Sequence, residues 1–245
     1  MSGLTLPPGW RLQDFESVAS TMELATQALV EGAGEGLVIR AREQVSGRGR
    51  QGRVWRSPVG NLYMSILIDP APTLAETAQL SFVAGLAVWR AVSDLAPGAA
   101  LQLKWPNDLL LDGAKLAGLL LEVPYAGRPA VLGLGINLRT APTDTPYSAT
   151  CLPPRATGPV DRDEATEAVT LRLAETLGQW RREGFDSIRR DWQSVAHPIG
   201  TPLTVRLTPE TPIQGSFDGL GPDGHLRLKT AEGVRQIPAG DVILA

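Results

Sequence analysis

The chain has 245 residues, 43% hydrophobic and 20% charged, which excludes a mainly disordered protein and gives length for one large domain or a large and a small one. Twenty-three basic against 26 acidic residues leave a formal charge of −3, so net charge gives no sign of a polyanion binder, and the distribution of charge matters more. A single cysteine (Cys151) excludes an internal disulfide framework, two histidines (His197, His225) argue against a His-rich metal centre, and no apolar run approaches the roughly 18 residues of a membrane span.

In chain order, the opening MSGLTLPPGWRLQDFE has no basic segment followed by a long apolar one, so a secretory signal is not expected and a cytoplasmic location is. Ser20-Thr21-Met22-Glu23 has the form of a capping box and predicts a helix over about 21–31, with Met22, Ala25 and Leu29 on one face. Leu37–Ile39 and Leu62–Ile68 read as buried strands. Thr73 and Glu76 form a second capping box, before an Ala/Leu/Val-rich core helix reaching about Asp94. Short strands are expected at Leu101–Trp105 and Leu109–Leu111, broken by Pro106. A hairpin at Asp112-Gly113 follows, then strands Lys115–Val123 and Val131–Leu138. Residues 139–161 carry five prolines and read as a long loop, and Arg162 to about Ala196 as an amphipathic helix. From residue 201 the texture changes to short alternating strands separated by Gly and Pro, with turns at Gly221–Gly224 and Glu232-Gly233, as in a small β-barrel.

Five stretches carry chemistry. Between Arg40 and Arg56 there are six arginines and one acid, Glu43, and Arg48, Arg50 and Arg53 alternate with Gly47, Gly49 and Gly52. Glycines let a backbone wrap a ligand, and arginine forks match phosphate oxygens. Such a loop is expected to be mobile when empty, its like charges repelling until a phosphate bridges them. A solvated basic loop, or an arm entering a DNA minor groove, would have the same composition. In Lys104-Trp105-Pro106-Asn107-Asp108 the proline ends a strand and the polar pair sits at the following turn. Lys115 heads an apolar strand in which Gly118 admits close approach, and such a lysine can hold a carboxylate or developing negative charge. In Gly133-Leu134-Gly135-Ile136-Asn137 the glycines mark close backbone approach, and the Asn137 amide could read an adenine edge. Ser20-Thr21 offers hydroxyls and free N–H groups at a helix start. Only three lysines, Lys104, Lys115 and Lys229, stand among the 23 basic residues, and lysine is a compact point charge that arginine does not replace.

Taken together and in this order, these strings resemble the biotin protein ligases. The matching residues are Ser20-Thr21, Gln44, Gly47 through Trp55, Lys104 through Asp108, Lys115 with Gly118 and Glu122, Gly133 through Asn137, and Ala149-Thr150-Cys151-Leu152. Met22 stands where such ligases often have Asn, and Cys151 where they usually have Ser. The resemblance implies an α+β fold: a mixed β-sheet flanked by helices (class II synthetase/biotin-lipoate ligase-like) in a catalytic domain, 1–196, with a C-terminal SH3-like β-barrel, 197–245. It implies ATP-dependent activation of biotin as biotinyl-5′-AMP, then transfer to a lysine of a biotin carboxyl carrier protein. Lys115, Arg48, Arg50 and Asp108 would be catalytic. Ser20, Thr21, Gln44, Gly47, Gly49, Arg53, Trp55, Asn107, Gly118 and Asn137 would join Arg48, Arg50 and Lys115 in binding. Mg²⁺ is expected with ATP, and no protein metal site, membrane or specific DNA partner is expected. Too few residues precede Ser20 for a helix-turn-helix, which disfavours a repressor. A homodimer is left open. A lipoate-attaching relative, a nucleic-acid-binding module and a noncatalytic binder of biotinyl-AMP remain the alternatives.

Overall fold

A computed structural model describes residues 3–69, 73–155, 158–207 and 212–244, so two residues of the expected 139–161 loop lie outside the described residues. Two sheets organise the chain. The first has seven strands: β1 (Arg11–Val18), β2 (Leu37–Gln44), β3 (Leu62–Ile68), β4 (Leu101–Lys104), β5 (Asp108–Leu111), β6 (Ala114–Glu122) and β7 (Ala130–Ile136). Their spatial order is β1-β2-β3-β7-β6-β5-β4, with β1 parallel to β2 and every other neighbour antiparallel. Apolar β-branched and leucine runs bury both faces of the central strands: β3 and β7 are buried at every position.

Helix α1 (Thr21–Val30) covers one face, packing Met22, Ala25 and Leu29 on Leu37, Ile39, Leu67 and Val131. The other face carries α2 (Leu74–Ala78), α3 (Leu80–Leu95), α4 (Arg162–Glu183) and α5 (Phe185–Ser194). The expected helix after Thr73 is interrupted at Gln79, whose backbone stays helical, and its capping box forms as read. The expected single helix from Arg162 to about Ala196 is corrected: Gly184 adopts φ 75°, a left-handed conformation that ends α4 and lets α5 start in a new direction. The Ser20 capping box is also corrected, because Ser20 precedes α1 but its side chain makes no cap bond. The exposed, polar strand β1 has no counterpart in the sequence reading.

The second sheet is antiparallel, with β8 (Pro202–Arg206), β9 (Pro212–Leu220), β10 (Leu226–Thr230), β11 (Gly233–Ile237) and β12 (Asp241–Leu244) in the order β11-β10-β9-β8-β12. Among the described residues β11 and β12 do not pair, so the expected barrel is a sheet that does not close. Its core is not separate. Phe217, Leu220, Leu226 and Leu228 belong to the same apolar cluster as α3 and the first sheet. Trp105 Nε1 donates to the Gly224 carbonyl at 3.2 Å, and a Cβ at Gly224 would stand 2.6 Å from the Phe82 ring. Among the described residues no helix is long and apolar enough to cross a membrane.

His197 lies where α5 gives way to β8. It is 8% exposed, and its Nε2 is buried without a partner. Burial, and then the positive charge of Lys104, hold its pKa below the ordinary value. The folded state therefore favours the neutral ring, whereas the unfolded chain takes the proton first, at about pH 6.5. Unfolding free energy should fall as pH drops below that value. His197→Gln should flatten the slope in denaturant titrations between about pH 7 and 5; an unchanged slope would remove His197 as its source.

Candidate active site

On the α1 face of the first sheet, strands β6 and β7 lack side chains at Gly118, Gly133 and Gly135. Gly118 pairs directly with Gly135, and Gly133 pairs with Leu120. The Trp55 indole fills the space this leaves. A Cβ at Gly135 would come within 2.5 Å of Trp55 Nε1, and one at Gly118 within 2.9 Å of its ring. Met22 fills the third vacancy: a Cβ at Gly133 would lie 2.6 Å from its sulfur. Gly47 serves the same indole from behind, since a Cβ there would fall 2.4 Å from the Trp55 carbonyl while its own carbonyl accepts from Trp55 N at 2.8 Å. Glycine is needed at these positions for close approach rather than flexibility.

Above this floor is an open cavity. One end is neutral and polar. Thr21 donates from its backbone N (2.8 Å) and its hydroxyl (3.0 Å) to Gln44 Oε1, Thr21 Oγ1 lies 2.8 Å from Ser65 Oγ, and Gln44 Nε2 donates to Ser57 at 2.9 Å. Ser20, 2% exposed, lines the same end. The helix start that sequence suggested thus serves the cavity, with hydroxyls and an amide fixed by one another.

The other end is charged. Lys115 Nζ stands 2.7 Å from Asp108 Oδ1, and Lys104 Nζ 3.3 Å from Asp108 Oδ2, so one carboxylate holds two ammonium groups. Asn107 is fixed by donation from Nδ2 to the Leu119 carbonyl and by accepting from Arg50 at 3.4 Å. Arg53 donates to both carboxylate oxygens of Asp241 at 2.7 and 2.6 Å. Arg50 reaches the Gly240 carbonyl at 3.2 Å and Asp241 at 3.6 Å. Arg48 lies between Glu23 and Glu122 at 3.9 and 3.8 Å. The expectation that these arginines repel until a phosphate bridges them is therefore corrected: carboxylates already face each of them. Compensation at Arg50 is incomplete. Burial and Arg53 hold its pKa below the ordinary value against Asp241 and Asp108, so an added anion would be favourable there.

Twelve of the fourteen residues expected to be catalytic or binding line one cavity: Ser20, Thr21, Gln44, Arg48, Gly49, Arg50, Arg53, Trp55, Asn107, Asp108, Lys115 and Gly118. Gly47 stands behind the wall. Asn137 is corrected as an adenine reader: it is 3% exposed and its Nδ2 donates to the Thr150 carbonyl at 3.0 Å, clipping the 150–152 segment to β7. Arg40 leaves the basic cluster too. It is buried and ties β1 and β2 to α4 through Asp14 (2.5 Å), Asp163 (2.7 Å) and Thr166 (2.9 Å). Tyr147 and Asp241 also line the cavity and were missed; each is an isolated residue in a region that sequence reads only as a loop or a second domain.

Residues 15–137 match the Biotin/lipoate A/B protein ligase family, and residues 199–245 match the Biotin protein ligase C terminal domain. The chain is 38% identical over 218 residues to the biotin–[acetyl-CoA-carboxylase] ligase of Paracoccus denitrificans, covering 83% of this chain and 88% of that protein. It is 33% identical to the bifunctional ligase/repressor BirA of Bacillus subtilis, over 96% of this chain and 74% of that protein. Among solved structures, the biotin protein ligase from Aquifex aeolicus in complex with biotin and ATP superposes with a TM-score of 0.82 at 30% identity, covering 96% of this chain and 98% of that one. The chain belongs to the biotin/lipoate A/B protein ligase family.

Gly135→Ala tests the floor. The added methyl displaces the Trp55 indole, and overpacking of this kind costs about 1–3 kcal/mol. Small-ligand affinity, read by calorimetry, should fall about tenfold or more, since 1.4 kcal/mol is a factor of ten. Wild-type affinity in this variant would mean that the indole does not shape the pocket.

Proposed function

We propose that this chain joins biotin to ATP, giving biotinyl-5′-AMP and pyrophosphate, and then passes the biotinyl group to a lysine of a biotin carboxyl carrier protein of a biotin-dependent carboxylase. One observation carries this reading: a single cavity has a neutral hydrogen-bonding end, an aromatic and apolar middle and a cationic end, with Lys115 where the last two meet. A ureido ring has two donors and one acceptor, which suits Ser20, Thr21 and Gln44. A fused apolar ring and alkyl tail suit Trp55, Met22 and Leu120.

The tail length brings a carboxylate toward Lys115. In the first step a carboxylate oxygen attacks the α-phosphorus, and the bond to the bridging oxygen of pyrophosphate breaks. Lys115 holds the carboxylate and the developing charge on phosphorus, with Asp108 fixing its position. Arg48, Arg50 and Arg53 exchange their carboxylate partners for phosphate oxygens, and Asn107 secures the Arg50 side of the loop. Mg²⁺ arrives with the nucleotide as part of the substrate. In the second step the carrier amine attacks the acyl carbon, an amide forms, AMP leaves, and the amine proton passes to base. We place the reaction in the cytoplasm and divide the chain near residues 196 and 197 into a ligase domain and a smaller C-terminal domain.

Labelled biotin, ATP and a carrier domain make the direct assay. Carrier labelling that depends on both substrates is expected, and lipoate should not replace biotin. Labelling with lipoate alone, or none with either, would overturn the reading. Lys115→Arg keeps the charge, but a planar guanidinium does not fit between Asp108, Trp55 and Tyr147. Turnover should fall at least about tenfold. Near wild-type turnover in that variant would strip Lys115 of its role.

A further inference from the structure

Lys115 is enclosed by two aromatic rings carried on two different loops. Its Nζ stands 5.4 Å from the centroid of Trp55 and 5.0 Å from that of Tyr147, with Asp108 Oδ1 at 2.7 Å. The position of Tyr147 is set by the backbone of the lysine it covers. Lys115 N donates to the Ser148 carbonyl at 2.8 Å, and Thr150 N donates to the Lys115 carbonyl at 2.9 Å, so the next residues of the loop form a bridge alongside the head of β6. Farther back the loop is tied to the arginine loop by an Arg56–Asp144 ion pair. Burial and the charge of Asp108 both raise the phenol's pKa, against Arg53, so the ring stays neutral and presents its electron-rich face to the ammonium.

From this geometry we infer that Tyr147 is a positioning residue that, together with Trp55, clamps the Lys115 ammonium over Asp108 and shields that end of the cavity from water. The chemical consequence rests on the biotin-activating reading. A mixed anhydride has two fates. A carrier amine at the acyl carbon gives the amide and AMP. Water at the same carbon breaks the acyl–oxygen bond, giving biotin and AMP and releasing a proton. A closed aromatic clamp favours the first fate.

The clamp itself can be tested without any substrate. The chain has three lysines, and Lys229 is exposed and remote from the cavity, so it serves as an internal reference. The full chain is treated with limiting acetic anhydride, and acetylation of Lys115 relative to Lys229 is read by mass spectrometry. Tyr147→Phe, which keeps the ring, should match the wild-type ratio. Tyr147→Leu, which keeps apolar bulk but loses the π face, should raise it about two- to fivefold. Tyr147 is 38% exposed on a loop, so both variants should fold, and matching melting temperatures check this. Equal ratios in all three proteins would overturn the clamp.

A second measurement tests the shielding. With biotin, MgATP and carrier present, pyrophosphate released per biotin transferred should rise in Tyr147→Leu and stay at the wild-type value in Tyr147→Phe. An unchanged ratio in Tyr147→Leu would overturn the shielding role. Absence of biotin-dependent pyrophosphate from the wild type would instead sink the biotin reading, and the acetylation result would still decide the clamp.

Discussion

The site depends on missing side chains. Gly118 and Gly135 face each other on two central strands, and the indole of Trp55 occupies the room they leave. Each glycine in a strand interior weakens the strand by roughly 0.5–1 kcal/mol relative to alanine. The sheet tolerates this because β7 is laddered on both sides, by β3 along its full length and by β6. Setting the gap at an edge would have left it without that support. The central location also buries the indole's neighbours and brings Lys115, three residues before Gly118 on the same strand, to the mouth of the same depression.

The electrostatics follow from the arginine loop returning across this floor. Six arginines within seventeen residues would repel in water, and the fold answers with acids from separate places: Glu23 on α1, Glu122 at the end of β6, Asp144 in the long loop and Asp241 on β12. These pairs are partly exposed, where ion pairs contribute little net stability. Their value is geometric. They hold guanidinium groups near the cavity in orientations that already satisfy a carboxylate oxyanion.

Much of this was legible in the sequence because it follows from local rules. Strand β3 begins and ends where its apolar run does, and the Thr73 box caps the helix it promises. The cavity residues were legible because their strings, taken together and in order, resemble those of biotin protein ligases; each string alone also had a purely structural reading. What failed depended on tertiary context. Ser20 has the right neighbours for a cap, yet its hydroxyl makes no cap bond and it faces the cavity. Asn137 looked like a ligand group until a distant carbonyl, Thr150, claimed its amide. Arg40 counted as one more phosphate fork, but alternation along β2 turns it toward α4 and two aspartates. Strand β1 is polar because it lies at the sheet edge, so no hydrophobic period announces it. Tyr147 and Asp241 have no motif around them; only folding brings a loop and a terminal strand to the lysine and the arginines.

Asp241 makes the second sheet part of the site rather than an appendage. Its strand is one of the two edge strands of the five, yet it reaches Arg53 because the two sheets share one apolar core. The contact is anchored at Trp105, whose indole donates to the Gly224 carbonyl in the turn between β9 and β10, while Asn107 and Asp108, just beyond it, line the cavity. Gly224 in turn sits against Phe82 and Phe185 too closely for any side chain. A shift of the second sheet would therefore move Asp241 against the arginines and pull on the segment that carries Asn107 and Asp108. Both parts of the charged end of the cavity, the arginine loop and the Asp108–Lys115 pair, are thus referred to the same packed joint. That joint explains how a loop rich in glycine can present its cations at fixed positions.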